Sequence, residues 1–205
     1  MKSFFYFFTA MILILLSGCD ENREKIRDAS ISPQPKKSIE SVVVDIKEPK
    51  PVKYRLVDVD NSEQNITILD KNITFQNIKK PLVLLHFTST WSPPSRAELS
   101  ILSSVQKKYS KYLTVLGILV NDKQDSVKFR YFMKKFNADF FISNSKDNAD
   151  LTNFVIKSLN LPDNFPIPLS VLYKNGELYR FYEGAMPIEM MDYEIKQAIK
   201  YNKKG

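Results

Sequence analysis

The chain of 205 residues contains a single cysteine, Cys19, and a single histidine, His86. One cysteine excludes an intramolecular disulfide, a cysteine-built zinc site and any Cys-x-x-Cys chemistry within one chain. One histidine excludes a multi-histidine metal centre, and a Ser-His-Asp arrangement would have to rest on His86 alone. No metal and no cofactor is therefore expected. The leading apolar run, Phe4 to Leu16, also falls short of the roughly 20 residues that cross a bilayer. No internal repeat is visible.

What is present begins with a leader. Lys2 is the only charged side chain of residues 1–18, and the apolar stretch ends in Leu16-Ser17-Gly18 directly before Cys19. This is the pattern of a signal peptide. The small residues before the cysteine resemble a lipobox, which implies cleavage before Cys19 and acylation of its sulfur. Cys19 is then a lipid anchor, and several acyl chains at about 0.8 kcal/mol per buried methylene hold firmly. The formal charge of +7, or 7 − 1 = +6 without the leader, would suit nucleic acid. Export removes that partner and leaves the membrane. Asp20 resembles an inner-membrane retention signal, so a membrane-anchored lipoprotein on the periplasmic side is expected, the inner membrane favoured. Residues 19–50 carry the anchor and then a polar stretch with Pro33, Pro35 and Pro49 and seven acidic against seven basic side chains. Such a composition makes a flexible linker. Residues 51–205 remain for one domain.

In that domain, Tyr54 to Val59 and Ile66 to Phe75 alternate well enough for short strands broken by polar turns, an N-terminal β-hairpin, whereas Pro81 to Phe87 is a continuous apolar run. A run of that kind suits a central strand covered on both faces. Trp91-Ser-Pro-Pro-Ser95 follows, and then Ile101, Leu102, Val105 and Tyr109 at helical spacing. Leu113 to Val120 reads as another buried strand, and Phe129, Phe132, Met133 and Phe136 as another amphipathic helix. A short strand at Phe140 to Ser143 and a helix through Leu151, Phe154, Val155 and Leu159 come next. Lys174-Asn175-Gly176 separates two apolar runs and predicts a hairpin, and a last helix carries Ile188, Met191, Ile195, Ala198 and Ile199 on one face. The order βαβα, βα, ββα predicts an α/β fold with a central mixed β-sheet flanked by helices.

Phe87-Thr-Ser-Thr-Trp-Ser-Pro-Pro-Ser-Arg-Ala-Glu98 resembles the active-site stretch of the TlpA/ResA thioredoxins, in which cysteines stand where this chain has Ser92 and Ser95. Phe165 to Gly176 is similar to that family's loop, cis-proline and hairpin, with Pro168 at the cis-proline. Gly184 to Tyr193 is similar to its turn into the terminal helix. The resemblance covers about residues 54–202 and implies a thioredoxin-like fold.

The departures from the family decide the chemistry. There the first cysteine attacks a disulfide as a thiolate at a helix N-terminus. A serine has no sulfur for the mixed disulfide that exchange requires. Ser92 and Ser95 are degenerate positions, no catalytic residue is expected, and copper-chaperone or peroxidase variants of the fold are excluded with the cysteines. Ser92 instead suits a helix cap that accepts from the Ser95 N–H, because Pro93 and Pro94 have none to give. By resemblance Trp91, Pro93, Pro94, Ile167 and Pro168 border a groove that grips an extended client chain. Glu98 matches the family acid that tunes the cysteine pair; without thiols, a carboxylate favouring the helix dipole is the simpler role. His86 reads as a strand residue packed beneath the site.

The function expected from these residues is a redox-inactive protein-binding or assembly factor for an extracytoplasmic polypeptide client, in envelope protein maturation or cytochrome c biogenesis. The alternative is a TlpA/ResA-type thiol-disulfide oxidoreductase whose natural cysteines are altered in this sequence. Asn65 and Asn72, each in an Asn-x-Thr with an acid two residues before it, resemble bacterial N-glycosylation acceptors and are expected in exposed hairpin turns.

Overall fold

The computed structural model describes residues 50–70 and 72–200; the leader, Cys19 and the spacer as far as residue 49 lie outside them. The described strands form two sheets. β1 (Val52–Val57), β2 (Glu63–Leu69) and β3 (Asn72–Phe75) make an antiparallel meander. β4 (Leu82–Thr88), β5 (Leu113–Leu119), β6 (Phe141–Ser143), β7 (Leu169–Lys174) and β8 (Glu177–Glu183) make a mixed sheet in the order β6-β5-β4-β7-β8. β5 runs parallel to β4 and β6, and β7 antiparallel to β4 and β8.

β4 is buried along its whole length because both of its faces are covered. Val83, Leu85 and Phe87 pack with the meander and with α3 (Asn148–Ser158), including Ile66, Ile73, Leu151 and Val155. Leu82 and Leu84 face α1 (Pro93–Lys108), α2 (Ser126–Lys135) and α4 (Ile188–Lys200) through Leu99, Leu102, Phe129 and Ile195. Side chains alternate along a strand, so His86 falls on the face toward α1.

With few glycines in the chain, asparagine takes over the left-handed turns. Asn137 (φ 51°) and Asn160 (φ 56°) follow the last residues of α2 and α3, where glycine is usual. Asn175 (φ 51°) and Gly176 (φ 85°) turn the β7–β8 hairpin. Gly176 is required there, since its carbonyl accepts the Ile73 N–H at 3.0 Å and an added Cβ would lie 2.4 Å from the Ile73 oxygen. The N-terminal hairpin carries a third strand: Ile66 to Phe75 is broken by a polar turn at Asp70, which adopts φ 55°, and the chain returns antiparallel as β3. Among the described residues no helix is long and apolar enough to cross a membrane.

Candidate functional site

β4 delivers the chain to the head of α1, and the residues of interest gather there. Ser92 sits in extended backbone as the N-cap of α1, with Pro93 and Pro94 in the first turn. Its Oγ accepts the Ser95 N–H at 3.4 Å and donates to the Ile167 carbonyl at 3.3 Å. The cap is thus also the tie to the opposite loop, where the Ile167–Pro168 bond is cis and the Pro168 carbonyl accepts from Gly184 N–H at 2.8 Å. Trp91 is 59% exposed at the rim, Pro93 and Pro94 are exposed, Ile167 is half-buried and Pro168 buried. Ser92 and Ser95 are both buried. Arg96 braces the loop from behind, its Nη1 donating to the Thr90 and Trp91 carbonyls at 3.0 Å each. Asp122 holds the other side by accepting the Thr90 N–H.

Beneath the serines lies a buried polar chain. Ser170 Oγ and His86 Nδ1 share a hydrogen bond of 3.0 Å, as befits directly paired residues of β7 and β4. His86 Nε2 faces Glu98 Oε2 at 3.9 Å, and Glu98 Oε1 accepts the Met186 N–H at 2.6 Å. Glu98 is 1% exposed and is the sixth residue of α1, so the expected first-turn role at the helix dipole is corrected: that effect fades within the first turn. Burial pushes its carboxyl up to about 7, the Met186 N–H opposing, and burial pushes His86 down to about 3. The two are consequently a neutral imidazole beside a carboxylic acid below neutral pH, not an ion pair.

Ser170, His86 and Glu98 fall in line like a nucleophilic triad, yet they cannot act as one. Ser170 and His86 are fully buried, 3.9 Å exceeds a hydrogen bond, and a histidine held near 3 is a poor base. Ser92 binds a backbone N–H and a carbonyl rather than a base. Among the described residues, His86 Nε2, Ser95 Oγ and Glu98 Oε2 are buried without a hydrogen-bond partner.

Ser170 and Arg96 carry no sequence signal of these roles. The available signal was His86, a polar side chain inside an apolar run, since buried polar groups demand partners. Asn72 is exposed at the start of β3, but Asn65 lies half-buried within β2, paired with Arg55. The expectation of a turn at Asn65 is corrected by the same alternation that buries Ile66 and Ile68.

No protein family matches the chain by sequence, and no curated protein does. Among solved structures, a thiol:disulfide interchange protein of the thioredoxin family from Chlorobium tepidum is similar at 20% identity, over 74% of this chain and 97% of its own, with a TM-score of 0.54. StoA from Bacillus subtilis is similar at 20% identity, over 72% and 98%, TM-score 0.50. The exposed lipoprotein thioredoxin Etrx1 from Streptococcus pneumoniae is similar at 15% identity, over 71% and 99%, TM-score 0.51. At such identities the fold is what is shared, and with the mixed sheet and the α1 head described above it shows that this chain has a thioredoxin-like fold.

Proposed function

We propose that the chain is a membrane-anchored extracytoplasmic lipoprotein of the TlpA/ResA kind that holds a polypeptide client, in envelope protein maturation or cytochrome c biogenesis, and performs no thiol–disulfide exchange. One observation carries the reading. Two buried hydroxyls, Ser92 and Ser95, stand at the α1 head between an exposed Trp91 and the loop of Ile167 and Pro168. The rim keeps the means to touch an extended chain, and the positions below it lack the sulfur that exchange needs. The name of the pneumococcal neighbour, an exposed lipoprotein, supports tethering through Cys19 by analogy. Asn72 is the better of the two candidate glycan acceptors because it is exposed.

One experiment tests the reading. The full chain is expressed in its own host with a photoreactive side chain at position 91, the membrane fraction is irradiated, and intact masses are measured. The expected result is membrane-bound protein with acyl chains on Cys19, a glycan confined to Asn72, and a discrete polypeptide adduct. Unprocessed, acyl-free protein would overturn the anchor; a bare Asn72 would overturn the glycan; absence of any adduct would overturn the client.

A further inference from the structure

Between α1 and α2, reaching Thr90 next to Trp91 in the chain, lies a notch of about 460 Å³ lined by Thr90, Arg96, Tyr131, Phe132, Lys135 and Phe136. A second notch shares Arg96, Lys135 and Phe136 and runs along the exposed Pro93. The floor is aromatic: Phe132 and Phe136 have ring centroids 4.8 Å apart. The walls are cationic. Arg96 Cζ lies 6.0 Å and Lys135 Nζ 5.7 Å from the Phe136 ring centroid, within reach of cation–π attraction. Arg96 is already held in place by the two loop carbonyls, so little side-chain entropy remains to be lost when it binds an anion. No ion pair involves Arg96 or Lys135 among the described residues. Asp122, the carboxylate that holds this loop, accepts from the Thr90 N–H and the Gln124 amide. Tyr131 and Val127 are 70% and 71% exposed on the same helix.

We infer that this notch is an outer subsite of the client groove and that the client is an acidic peptide segment, its carboxylate seated between Arg96 and Lys135 and its apolar neighbours against Trp91 and Tyr131. The inference rests on the client-binding reading above. Charge complementarity selects the occupant: two uncompensated cations over an aromatic floor favour a carboxylate flanked by apolar groups. The net charge of 7 − 1 = +6 that remains without the leader draws the same class of partner. An anionic membrane surface would also meet these cations, but notches lined by Thr90 and Pro93, the residues on either side of Trp91 and Ser92, are placed for a chain lying in the groove.

Trp91 is the only tryptophan, so its emission reports the site alone. The full chain in neutral detergent is titrated with a decapeptide alternating glutamate and phenylalanine, with twins carrying glutamine or lysine in place of glutamate, and with phosphatidylglycerol vesicles. The glutamate peptide is expected to shift Trp91 emission and to bind roughly fivefold or more tightly than the glutamine twin. Lys135→Glu, at an exposed position without a hydrogen bond to the loop, should abolish the preference, and rising salt should narrow it. Equal affinity for all three peptides, or an unchanged preference in Lys135→Glu, would overturn the inference while leaving a client groove standing. No Trp91 response to any peptide would overturn both. A response to vesicles alone would assign the cations to the membrane and overturn the acidic client.

Discussion

The double substitution Ser92→Cys with Ser95→Cys is expected to create dithiol-dependent reduction of insulin, which the unsubstituted chain is expected to lack. The gain is all-or-none, because exchange proceeds through a mixed disulfide and a hydroxyl cannot form one. In the variant, the thiolate at position 92 attacks an insulin sulfur and displaces its partner as a thiolate. The thiol at 95 then attacks the mixed disulfide, which releases the second insulin thiol and leaves an intramolecular disulfide. Added dithiol reduces that bond and completes the cycle. The backbone is ready for this: position 92 is the N-cap, where the helix end favours an anion, and its side chain already reaches the N–H of residue 95 at 3.4 Å. Losing the serine cap costs about 1 kcal/mol. Ser95 contributes no such loss, since its buried hydroxyl has no partner and a thiol is the better buried group. Insulin turbidity with dithiothreitol checks the result. A folded variant with both thiols present that forms no disulfide under oxidant would contradict the placement of these two positions.

Glu98→Gln is expected to make the protein more stable at pH 8 and to leave it nearly unchanged near pH 4.5. The folded state raises this carboxyl from 4.5 to about 7, chiefly by burial. It therefore binds the proton more tightly than the unfolded chain does, so its favourable contribution is complete below about 4.5 and is lost as pH rises through 7. At 1.36 kcal/mol per pH unit, the loss reaches at most about 3 kcal/mol. Glutamine keeps the oxygen that accepts the Met186 N–H and cannot ionise. His86 slopes the other way: the unfolded chain protonates it near 6.5 while the folded state resists down to about 3, so acid destabilises. That slope is common to both proteins and cancels in their difference. Urea unfolding of the two at both pH values measures it, and a difference independent of pH would contradict the buried, protonated Glu98.

Much of the fold was legible because its signals are local. The apolar run of β4, the helical spacing through α1 and the Asn175-Gly176 turn each report on their own residues. The Ser92 cap was legible for the same reason, since two prolines remove the competing N–H groups. The polar turn between β2 and β3 was legible too, but not its pivot at Asp70, because the apolar alternation of Ile66 and Ile68 resumes in Ile73 and Phe75 across the turn. Least legible was the polar chain under the site. His86 and Ser170 are brought together by the register of β4 on β7, and Glu98 meets Met186 across the α1–α4 side. No spacing within the sequence encodes pairings of that range. Arg96 was hidden differently: an arginine near a helix start reads as surface charge, and only the folded loop shows that it grips the carbonyls on either side of the Thr90–Trp91 bond.

On the proposed reading the α1 head keeps a client groove without thiols, so a single cysteine placed there should trap whatever occupies it. Ser92→Cys alone, with Ser95 retained, supplies a nucleophile and no resolving thiol, so any mixed disulfide accumulates. In the native host, non-reducing separation followed by mass identification should recover a small, constant set of extracytoplasmic polypeptides bound through position 92. Trp91→Ala in the same background should empty that set, because the indole is exposed at the rim and, on the proposed reading, the client lies against it. A folded Ser92→Cys protein with a titratable thiol that captures nothing, or that captures the same set with and without Trp91→Ala, would contradict the account.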